Sequence, residues 1–420
     1  MIIDRVTIRN FRNIEDEKIF NLNPNFTIII GINGKGKSTV LNAIRIAAGT
    51  YLLGIPEVPK RHIWENEIRR KEFESHIVLE TPTIIRAEGS IDNQQLLRPW
   101  QRQIPEGKTK TTSNAEDVGE IRNIAHNKYI LITKEGASDI DNPVIAYFGT
   151  GRLYGSSRNT LGAFLGRQIF KYGYYSWSEM QYSTYQYSYW LNSHPFLVAD
   201  NKDSPETYLA FFDAVRAANP YITAIGFDGK ELRLRVKMSE DEPESQFLPL
   251  SLHSDGIITH TAMIAELAFR CIMLNAHHKI NAVKNSKGVV MIDELDLHLH
   301  PNWQRHVVAD LKKAFPNIQF VATTHSPFIV QSLKSDEIWN LDKSMDVSPN
   351  ELKIDTISTE IMGVPSAYST ENEELYLKSK NYLNKLEEGK HTEELSKDIE
   401  NISDPAVRAF LELRKMSKGK

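Results

Sequence analysis

A glycine-rich segment at residues 31–38 constrains the fold of this chain more than any other feature of its sequence. It reads GINGKGKS, which satisfies the pattern G-x-x-x-x-G-K-[ST]. The apolar run at 26–31 is typical of a strand, and residues 37–48 are typical of a helix. Glycines allow successive N–H groups to point at a phosphate, and the helix adds the positive end of its dipole. In this context the pattern predicts a nucleotide-binding loop in an α/β domain.

The residue types in this loop suggest a separate role for each side chain. Lys37 is expected to reach the β- and γ-phosphates of ATP, and the Ser38 hydroxyl is expected to coordinate Mg²⁺. ATP and Mg²⁺ are therefore the expected ligands. The loop residues that we expect to bind ATP are Asn33, Gly34, Lys35, Gly36, Lys37, Ser38 and Thr39.

Two later apolar runs end in side chains that fit the same chemistry. The run at 288–292 is followed by Asp293 and Glu294. We expect Asp293 to hold Mg²⁺ through water and Glu294 to act as the general base for the attacking water. The second run ends at His325, which is expected to hydrogen-bond the γ-phosphate, the alternative being a structural histidine.

Two other motifs favour no additional site. His298 and His300 have the spacing of metal ligands. The only nearby candidate for a third ligand is His306, which lies on the helix that follows, so we do not expect a metal there. The segment at 148–155, FGTGRLYG, does not fit the dinucleotide fingerprint G-x-G-x-x-G. Its glycines are spaced G-x-G-x-x-x-G, so the last glycine is one residue too far along the chain.

The composition argues against several classes of protein. Cys271 is the one cysteine, which excludes a disulfide framework and a cysteine-built zinc site. The formal net charge of -4 gives no global attraction to nucleic acid. No uncharged apolar run reaches the roughly 18 residues that a membrane-spanning helix needs. We therefore expect a cytoplasmic protein that is not associated with a membrane.

These motifs, in this order, resemble those of ABC-type ATPases of the RecF and chromosome-maintenance class. The opening VTIRNFRNIEDEKIFNLNPNFTIIIGINGKGKST is similar to that class along its length. The segment PLSLHSDG at 249–256, which precedes an apolar helix, resembles the ABC signature. The resemblance implies that Ser254, Asp255 and Gly256 of one subunit complete the ATP site of another, so that the chain forms a homodimer or a higher oligomer. By itself, a Ser-x-Gly turn is also typical of a helix N-cap.

Finer matches resemble the bacterial anti-phage branch of this class, the ATPases of Septu and Septu-like retron systems. They are DELDLHLHPNWQ, FPNIQFVATTHSPFIV and IDTISTEIMGV. The resemblance implies an ATP-hydrolysing dimeric switch that senses or controls a separate effector nuclease of the HNH type, with nucleic acid contacted through the complex. The alternative is a RecF-like DNA-repair clamp that binds DNA directly. The sequence departs from the family in carrying His253 where the signature has Leu, and His300 where transporters have the D-loop Asp.

The expected fold is α/β, an ABC-type P-loop ATPase head with a mixed-sheet lobe and a helical lobe. We assign residues 1–54 and 245–345 to this core and 55–244 to an inserted region. Residues 346–420 are expected to form a helical, partner-docking region with helices at 372–387 and 393–414. The aromatic stretch at 170–196 has three interpretations: an interface or lid, the core of the inserted lobe, or a platform for unpaired bases.

Overall fold

The computed structural model of the protein describes residues 1–73, 76–153, 169–178, 184–343 and 347–366, together with residue 408. The chain divides into two compact units, Met1–Leu352 and Lys353–Lys420. The first unit holds every element below except the last helix. The helices predicted at 372–387 and 393–414 lie outside the described residues, apart from residue 408.

The described strands and helices follow one another in mixed order along the chain. The strands are β1 (Ile2–Arg9), β2 (Lys18–Asn21), β3 (Phe26–Ile30), β4 (Arg70–Phe73), β5 (His76–Leu79), β6 (Thr83–Ile91), β7 (Gln94–Gln95), β8 (Trp100–Ile104), β9 (Val144–Phe148), β10 (Ile222–Phe227), β11 (Leu232–Val236), β12 (Leu248–Pro249), β13 (Gly288–Ile292), β14 (Ile318–Thr323) and β15 (Ile338–Asn340). The helices are α1 (Lys37–Ala48), α2 (Ala115–Thr133), α3 (Ile169–Gly173), α4 (Thr184–Ala199), α5 (Pro205–Ala217), α6 (Asp255–Asn275), α7 (Ala282–Asn285), α8 (Pro301–Gln304), α9 (Val307–Ala314), α10 (Pro327–Gln331) and α11 (Ile354–Thr356).

A parallel sheet forms the centre of the first unit. Its strand order is β15-β3-β14-β13-β9, and every neighbouring pair is parallel. All residues of β3, β9, β13 and β14 are buried, as expected for strands covered on both faces. Because the strands are parallel, the loops that follow β3, β13 and β14 meet at the same edge of the sheet. The predicted α/β class is confirmed.

A second, antiparallel sheet belongs to the same unit. Its order is β2-β1-β6-β7, and β8 pairs with the free edge of β6. Strand β6 alternates buried and half-buried residues, the pattern of a sheet with one face on the core. Strands β6, β8 and β9 all fall in the region 55–244, which the sequence predicted to be an inserted lobe. Strand β6 pairs with β1 and β9 pairs with β13, both strands of the assigned core, while β8 pairs with β6. The two sheets therefore contain strands from both sides of residue 54.

The helical part of the first unit is built around α6. Residues Asp255–Asn285 are long and apolar enough to cross a membrane, but 89% of that apolar window is buried inside the protein. Trp190 packs against Phe211 and Phe269, with ring centroids 5.6 Å and 6.0 Å away. Among the described residues of the aromatic stretch, the buried rings are Phe170, Tyr172, Tyr174, Trp177, Tyr187 and Trp190. For these side chains the structure supports the core interpretation and not the interface or base-stacking interpretations.

Candidate nucleotide-binding site

The glycine loop turns sharply between β3 and α1. Gly36 has φ 101°, a left-handed conformation that favours glycine, and a Cβ there would displace the side-chain amide of Asn13, 2.7 Å away. The helix begins at Lys37, whose ammonium donates to the carbonyl oxygen of Gly31 at 2.8 Å. Burial lowers the pKa of Lys37. Asp342, from a distant part of the chain, also holds the loop in place, because its carboxylate accepts a 2.7 Å hydrogen bond from the Ile32 N–H.

Two acidic residues follow β13 and face the start of α1. The Oδ1 atom of Asp293 accepts a 2.6 Å hydrogen bond from Thr323 and lies 3.3 Å from the Ser38 hydroxyl oxygen. The same Thr323 hydroxyl accepts the Glu294 N–H at 2.8 Å. Glu294 has φ 51°, a left-handed conformation that costs a non-glycine residue about 1–3 kcal/mol. The structure therefore brings Ser38, Asp293 and Glu294 together, as their sequence context predicts.

His325 is held at the end of β14 by an acid that no sequence motif singles out. Asp296 accepts hydrogen bonds from the Thr324 hydroxyl at 2.6 Å and from the His325 N–H at 3.1 Å. Ser326 then caps α10 by accepting the N–H groups of Phe328 and Ile329. These contacts orient the backbone so that the His325 side chain lines the nucleotide cavity.

A cavity of about 310 Å³ lies between the glycine loop and the two acids. Asn13 reaches it from the turn after β1 and donates to the carbonyl oxygen of Gly34 at 3.2 Å. Arg12 and Asn13 were missed by sequence reasoning, because nothing local marks a turn after a strand as part of a distant loop. The residues that line the cavity are Arg12, Asn13, Asn33, Gly34, Gly36, Lys37, Ser38, Thr39, Asp293, Glu294, Thr323 and His325. Lys35 points elsewhere and lies 3.7 Å from Asp342.

Arg152 is a further residue that sequence reasoning missed. Its guanidinium is buried and donates to the carbonyl oxygens of Asp293 at 2.6 Å, Glu294 at 2.5 Å and Gly149 at 3.1 Å. It lies in the FGTGRLYG segment, where only the glycine spacing suggested a function. No local signal marks this arginine, because two of its partners are backbone carbonyl oxygens in a distant segment.

The signature segment, residues 249–256, does not line the cavity at the glycine loop of the same chain. Ser254 is the N-cap residue of α6, yet its side chain makes no capping hydrogen bond, and the residue is exposed. A Cβ on Gly256 would lie 2.3 Å from the carbonyl oxygen of His298, so this position requires glycine. Ser254, Asp255 and Gly256 are not among the described residues that line the cavity. One chain therefore does not bring them to its own glycine loop.

The three histidines considered as metal ligands have separate surroundings. His300 caps α8 by accepting the Asn302 N–H. The two ring nitrogens of His306 contact the Tyr221 hydroxyl at 3.0 Å and the Asp310 carboxylate. His298 is exposed.

Relatives of the chain carry names that agree with the predicted resemblance. It is 26% identical to a Septu protein PtuA of Bacillus mycoides over 80% of this chain and 40% of that protein. It is 46% identical to the Escherichia coli Retron Ec83 probable ATPase over 21% of this chain and 16% of that protein. The matches therefore span less than half the length of these relatives. A solved SMC head bound to the C-winged helix domain of ScpA is 14% identical, with a TM-score of 0.48 over 83% of this chain and 96% of that one.

The family assignment rests on a match that covers most of the first unit. Residues 26–331, more than half of the chain, match the family described as "AAA domain, putative AbiEii toxin, Type IV TA system". This range holds the glycine loop, the two acids, Arg152 and His325. The chain thus belongs to that AAA-domain family.

Proposed function

We propose that the chain is an ATP-driven switch whose active site is completed by a second copy of the same chain. The observation that carries this proposal is the start of α6. An exposed serine at a helix N-terminus, with a hydroxyl not used for capping, is suited to bind an anion from outside the chain. Ser254, Asp255 and Gly256 would contact the γ-phosphate held by the glycine loop of the other copy.

The donor atoms near the glycine loop fit Mg²⁺. The Ser38 hydroxyl oxygen and the Asp293 carboxylate lie 3.3 Å apart, and Mg²⁺ prefers one or two such oxygens together with phosphate and water. Held there, Mg²⁺ would supply positive charge that offsets the negative charge developing during hydrolysis. Ser38 would bind the ion directly and Asp293 through water.

The remaining side chains divide the catalytic work. Lys37 would bind the β- and γ-phosphates, and Arg12 lines the same cavity and adds a second positive charge. Glu294 would orient the attacking water and accept its proton, while His325 would donate to the γ-phosphate. Asn33, Gly34, Lys35, Gly36 and Thr39 would complete the loop around the nucleotide. Arg152 and Thr323 hold Glu294 by its backbone and would act as positioning residues.

The names of the relatives support a role in anti-phage defence. We propose that ATP binding or hydrolysis by this chain controls a separate effector nuclease of the HNH type, as its similarity to Septu and retron proteins implies. Nucleic acid would then be contacted through the complex, and the chain would act in the cytoplasm. The region 346–420 is proposed to hold the effector. A variant truncated after residue 371 should hydrolyse ATP but fail to co-purify with the effector.

Mixing two inactive variants tests the shared site. Lys37→Ala destroys the loop side of a site and Ser254→Ala destroys the signature side, so each variant alone should lack activity. In a mixed dimer, one of the two sites keeps both an intact loop and an intact signature. Equal amounts that exchange at random make half of the dimers mixed, so the mixture should recover roughly a quarter of the wild-type ATPase rate. If the mixture stays inactive while both variants dimerise in light scattering, the site is not shared.

A DNA-binding measurement separates the switch from a RecF-like clamp. A clamp that grips the phosphate backbone should bind duplex DNA with an affinity that falls steeply as salt rises. We expect the purified chain to bind weakly, with little dependence on salt, and to leave plasmid DNA and RNA intact in Mg²⁺ or Mn²⁺. Tight, strongly salt-dependent binding by the chain alone would favour the clamp.

A further inference from the structure

A second cluster of ligating side chains lies where the residues before β9 meet the end of α6. The Oδ1 atom of Asp141 is 3.0 Å from His277 Nε2 and 2.6 Å from His278 Nε2. One ligand atom from each of the three residues lies within 4.8 Å of the other two. Neither the sequence motifs nor the nucleotide site accounts for two adjacent imidazoles that converge on one carboxylate.

A rigid scaffold places Asp141 opposite the histidines. Asn142 and Asn275 are both buried and exchange two hydrogen bonds: the Asn142 N–H donates to the Asn275 side chain at 2.7 Å, and that side chain donates to the Asn142 carbonyl at 3.1 Å. The Asn275 amide also donates to the Ser286 hydroxyl at 2.8 Å. Because Asn142 follows Asp141 and Asn275 is two residues before His277, this pairing fixes the carboxylate and the imidazoles relative to each other.

The donor set matches a divalent transition metal better than a hard cation. Two imidazoles and one carboxylate are ligands that zinc accepts, whereas Mg²⁺ and Ca²⁺ prefer oxygen alone. Zinc bonds of about 2.0–2.2 Å in a tetrahedron place neighbouring ligand atoms roughly 3.3 Å apart. The spacings of 2.6 Å and 3.0 Å from Asp141 to the histidines are close to that value. Small rotations of the side chains would therefore admit the ion.

The surroundings of the cluster also suit a cation. The Asn285 amide nitrogen lies 3.4 Å from Nδ1 of His278. After a flip of this amide its oxygen would face Nδ1, accept that ring's N–H and leave Nε2 free to bind the metal. Lys128 donates to the Asp141 carbonyl oxygen at 2.6 Å, but its charge is balanced by an ion pair of 2.6 Å with Asp92. The charged side chain of Lys279 is exposed.

The cluster is open to solvent on one side. The side chains of His277, His278 and Asp141 are 19%, 26% and 40% exposed. His277 also lines a cavity of about 500 Å³. An ion could enter from this side, and water could occupy the fourth position.

We propose that Asp141, His277 and His278 bind one divalent transition-metal ion of the zinc class. The ion would tie the segment that leads into β9 to the end of α6, the helix that begins after Ser254. This metal site does not depend on the proposed ATP chemistry, so either proposal can fail without affecting the other.

Zinc binding to the full-length chain tests this proposal directly. The chain is stripped with EDTA and equilibrated with excess Mg²⁺ and ADP, which occupy the nucleotide site, and it is then titrated with Zn²⁺ against a chromophoric chelator. We expect one tightly bound zinc per chain, confirmed by elemental analysis. The variants His277→Ala and His278→Ala should lose it. The double variant His298→Ala, His300→Ala removes two exposed imidazoles elsewhere and should retain it.

Further measurements separate a metal site from a simple hydrogen-bonded cluster. Asn285→Ala should weaken zinc binding by about 10- to 100-fold, the usual effect of losing a ligand's hydrogen-bond partner. Zn²⁺ should raise the melting temperature of the wild type but not of His277→Gln, whose circular dichroism reports folding. Co²⁺ should give the visible absorption of a tetrahedral site in the wild type alone. Absence of zinc binding by the wild type, or equal binding by the folded His277→Gln variant, would overturn the proposal.

Discussion

The hydroxyl of Thr323 joins the two acids of the proposed ATP site, because it donates to Asp293 Oδ1 at 2.6 Å and accepts the Glu294 N–H at 2.8 Å. Thr323 is the last residue of β14, and the acids follow the neighbouring strand β13. The pairing of two parallel strands thereby sets the position of the proposed general base relative to the proposed Mg²⁺ ligand.

Replacing Thr323 with Val should slow ATP turnover about 10- to 100-fold, since each tenfold corresponds to roughly 1.4 kcal/mol. The valine keeps the shape but leaves a buried N–H and a carboxylate without this partner, which costs about 1–3 kcal/mol in unfolding free energy. Steady-state ATPase assays and urea unfolding measure the two effects. Thr27→Val is the matched control, because Thr27 is also buried on a strand and accepts one N–H, from Asn23 at 2.9 Å. It should lose stability but keep its turnover, and equal turnover in both variants would contradict the assigned role.

Lys37→Ala and Glu294→Gln should separate binding from hydrolysis. Loss of the Lys37 charge should weaken ATP binding and abolish turnover. Glu294→Gln should retain binding but lower turnover by about 10²- to 10⁴-fold, the usual contribution of a positioned base. Fluorescent-nucleotide binding and single-turnover hydrolysis measure the two steps, and light scattering should detect an ATP-trapped dimer of Glu294→Gln. A similar loss of affinity in both variants would show that the general base is another residue.

Arg152→Lys should lower turnover by about 10- to 100-fold and leave nucleotide affinity unchanged. A lysine cannot reproduce the fork that reaches the carbonyl oxygens of Asp293 and Glu294 together. Hydrolysis by Arg152→Ala should recover in part when guanidinium is added at concentrations that do not unfold the protein. A purely structural arginine would give variants with a lower melting temperature but no guanidinium-dependent recovery of turnover.

Ser254→Ala should abolish ATP turnover with little change in stability. An N-cap serine that caps its helix contributes about 0.5–2 kcal/mol, but Ser254 makes no capping hydrogen bond, so we expect a change below about 0.5 kcal/mol. Ser204→Ala is the matched control, because Ser204 accepts the Glu206 N–H at the start of α5 and should lose about 1 kcal/mol. Thermal unfolding of both variants decides this. If Ser254→Ala and Ser204→Ala lose equal stability, Ser254 acts as an ordinary helix N-cap.

His260 should make the protein less stable as the pH falls. Burial lowers its pKa from 6.5 to about 4, and its Nε2–H donates to the Ala218 carbonyl oxygen at 3.1 Å. The unfolded chain takes up the proton more readily than the folded chain. The contribution of neutral His260 to the free energy of unfolding is therefore complete above pH 6.5 and is lost as the pH falls toward 4. The loss is on the order of 2–3 kcal/mol. Urea unfolding from about pH 7 to about pH 4.5 should show a shallower decline for His260→Gln, and parallel curves would contradict this assignment.

Local patterns were sufficient to predict much of the site. Strand β3, the glycine turn and helix α1 lie consecutively in the chain, so their periodicity and glycine spacing predict both the fold class and the loop's ligand. Asp293, Glu294 and His325 were found in the same way, because each lies at the end of a continuous apolar run. Whether a Ser-x-Gly turn caps its own helix could not be decided from spacing, since both alternatives have the same sequence.

Only the tertiary structure shows which distant segments meet. Strands β6, β8 and β9 join the core sheets, although the chain between them had the mixed composition of an insertion. The sequence of a strand indicates whether the strand is buried but does not determine which strand pairs with it. Hydrogen bonds between strands join backbone N–H and C=O groups, which are common to nearly all residues. For the same reason Arg152, Thr323, Asp296 and Asp342 could not be assigned in advance. Their partners are mostly backbone groups and side chains in other segments, which come within reach only after the parallel sheet has formed.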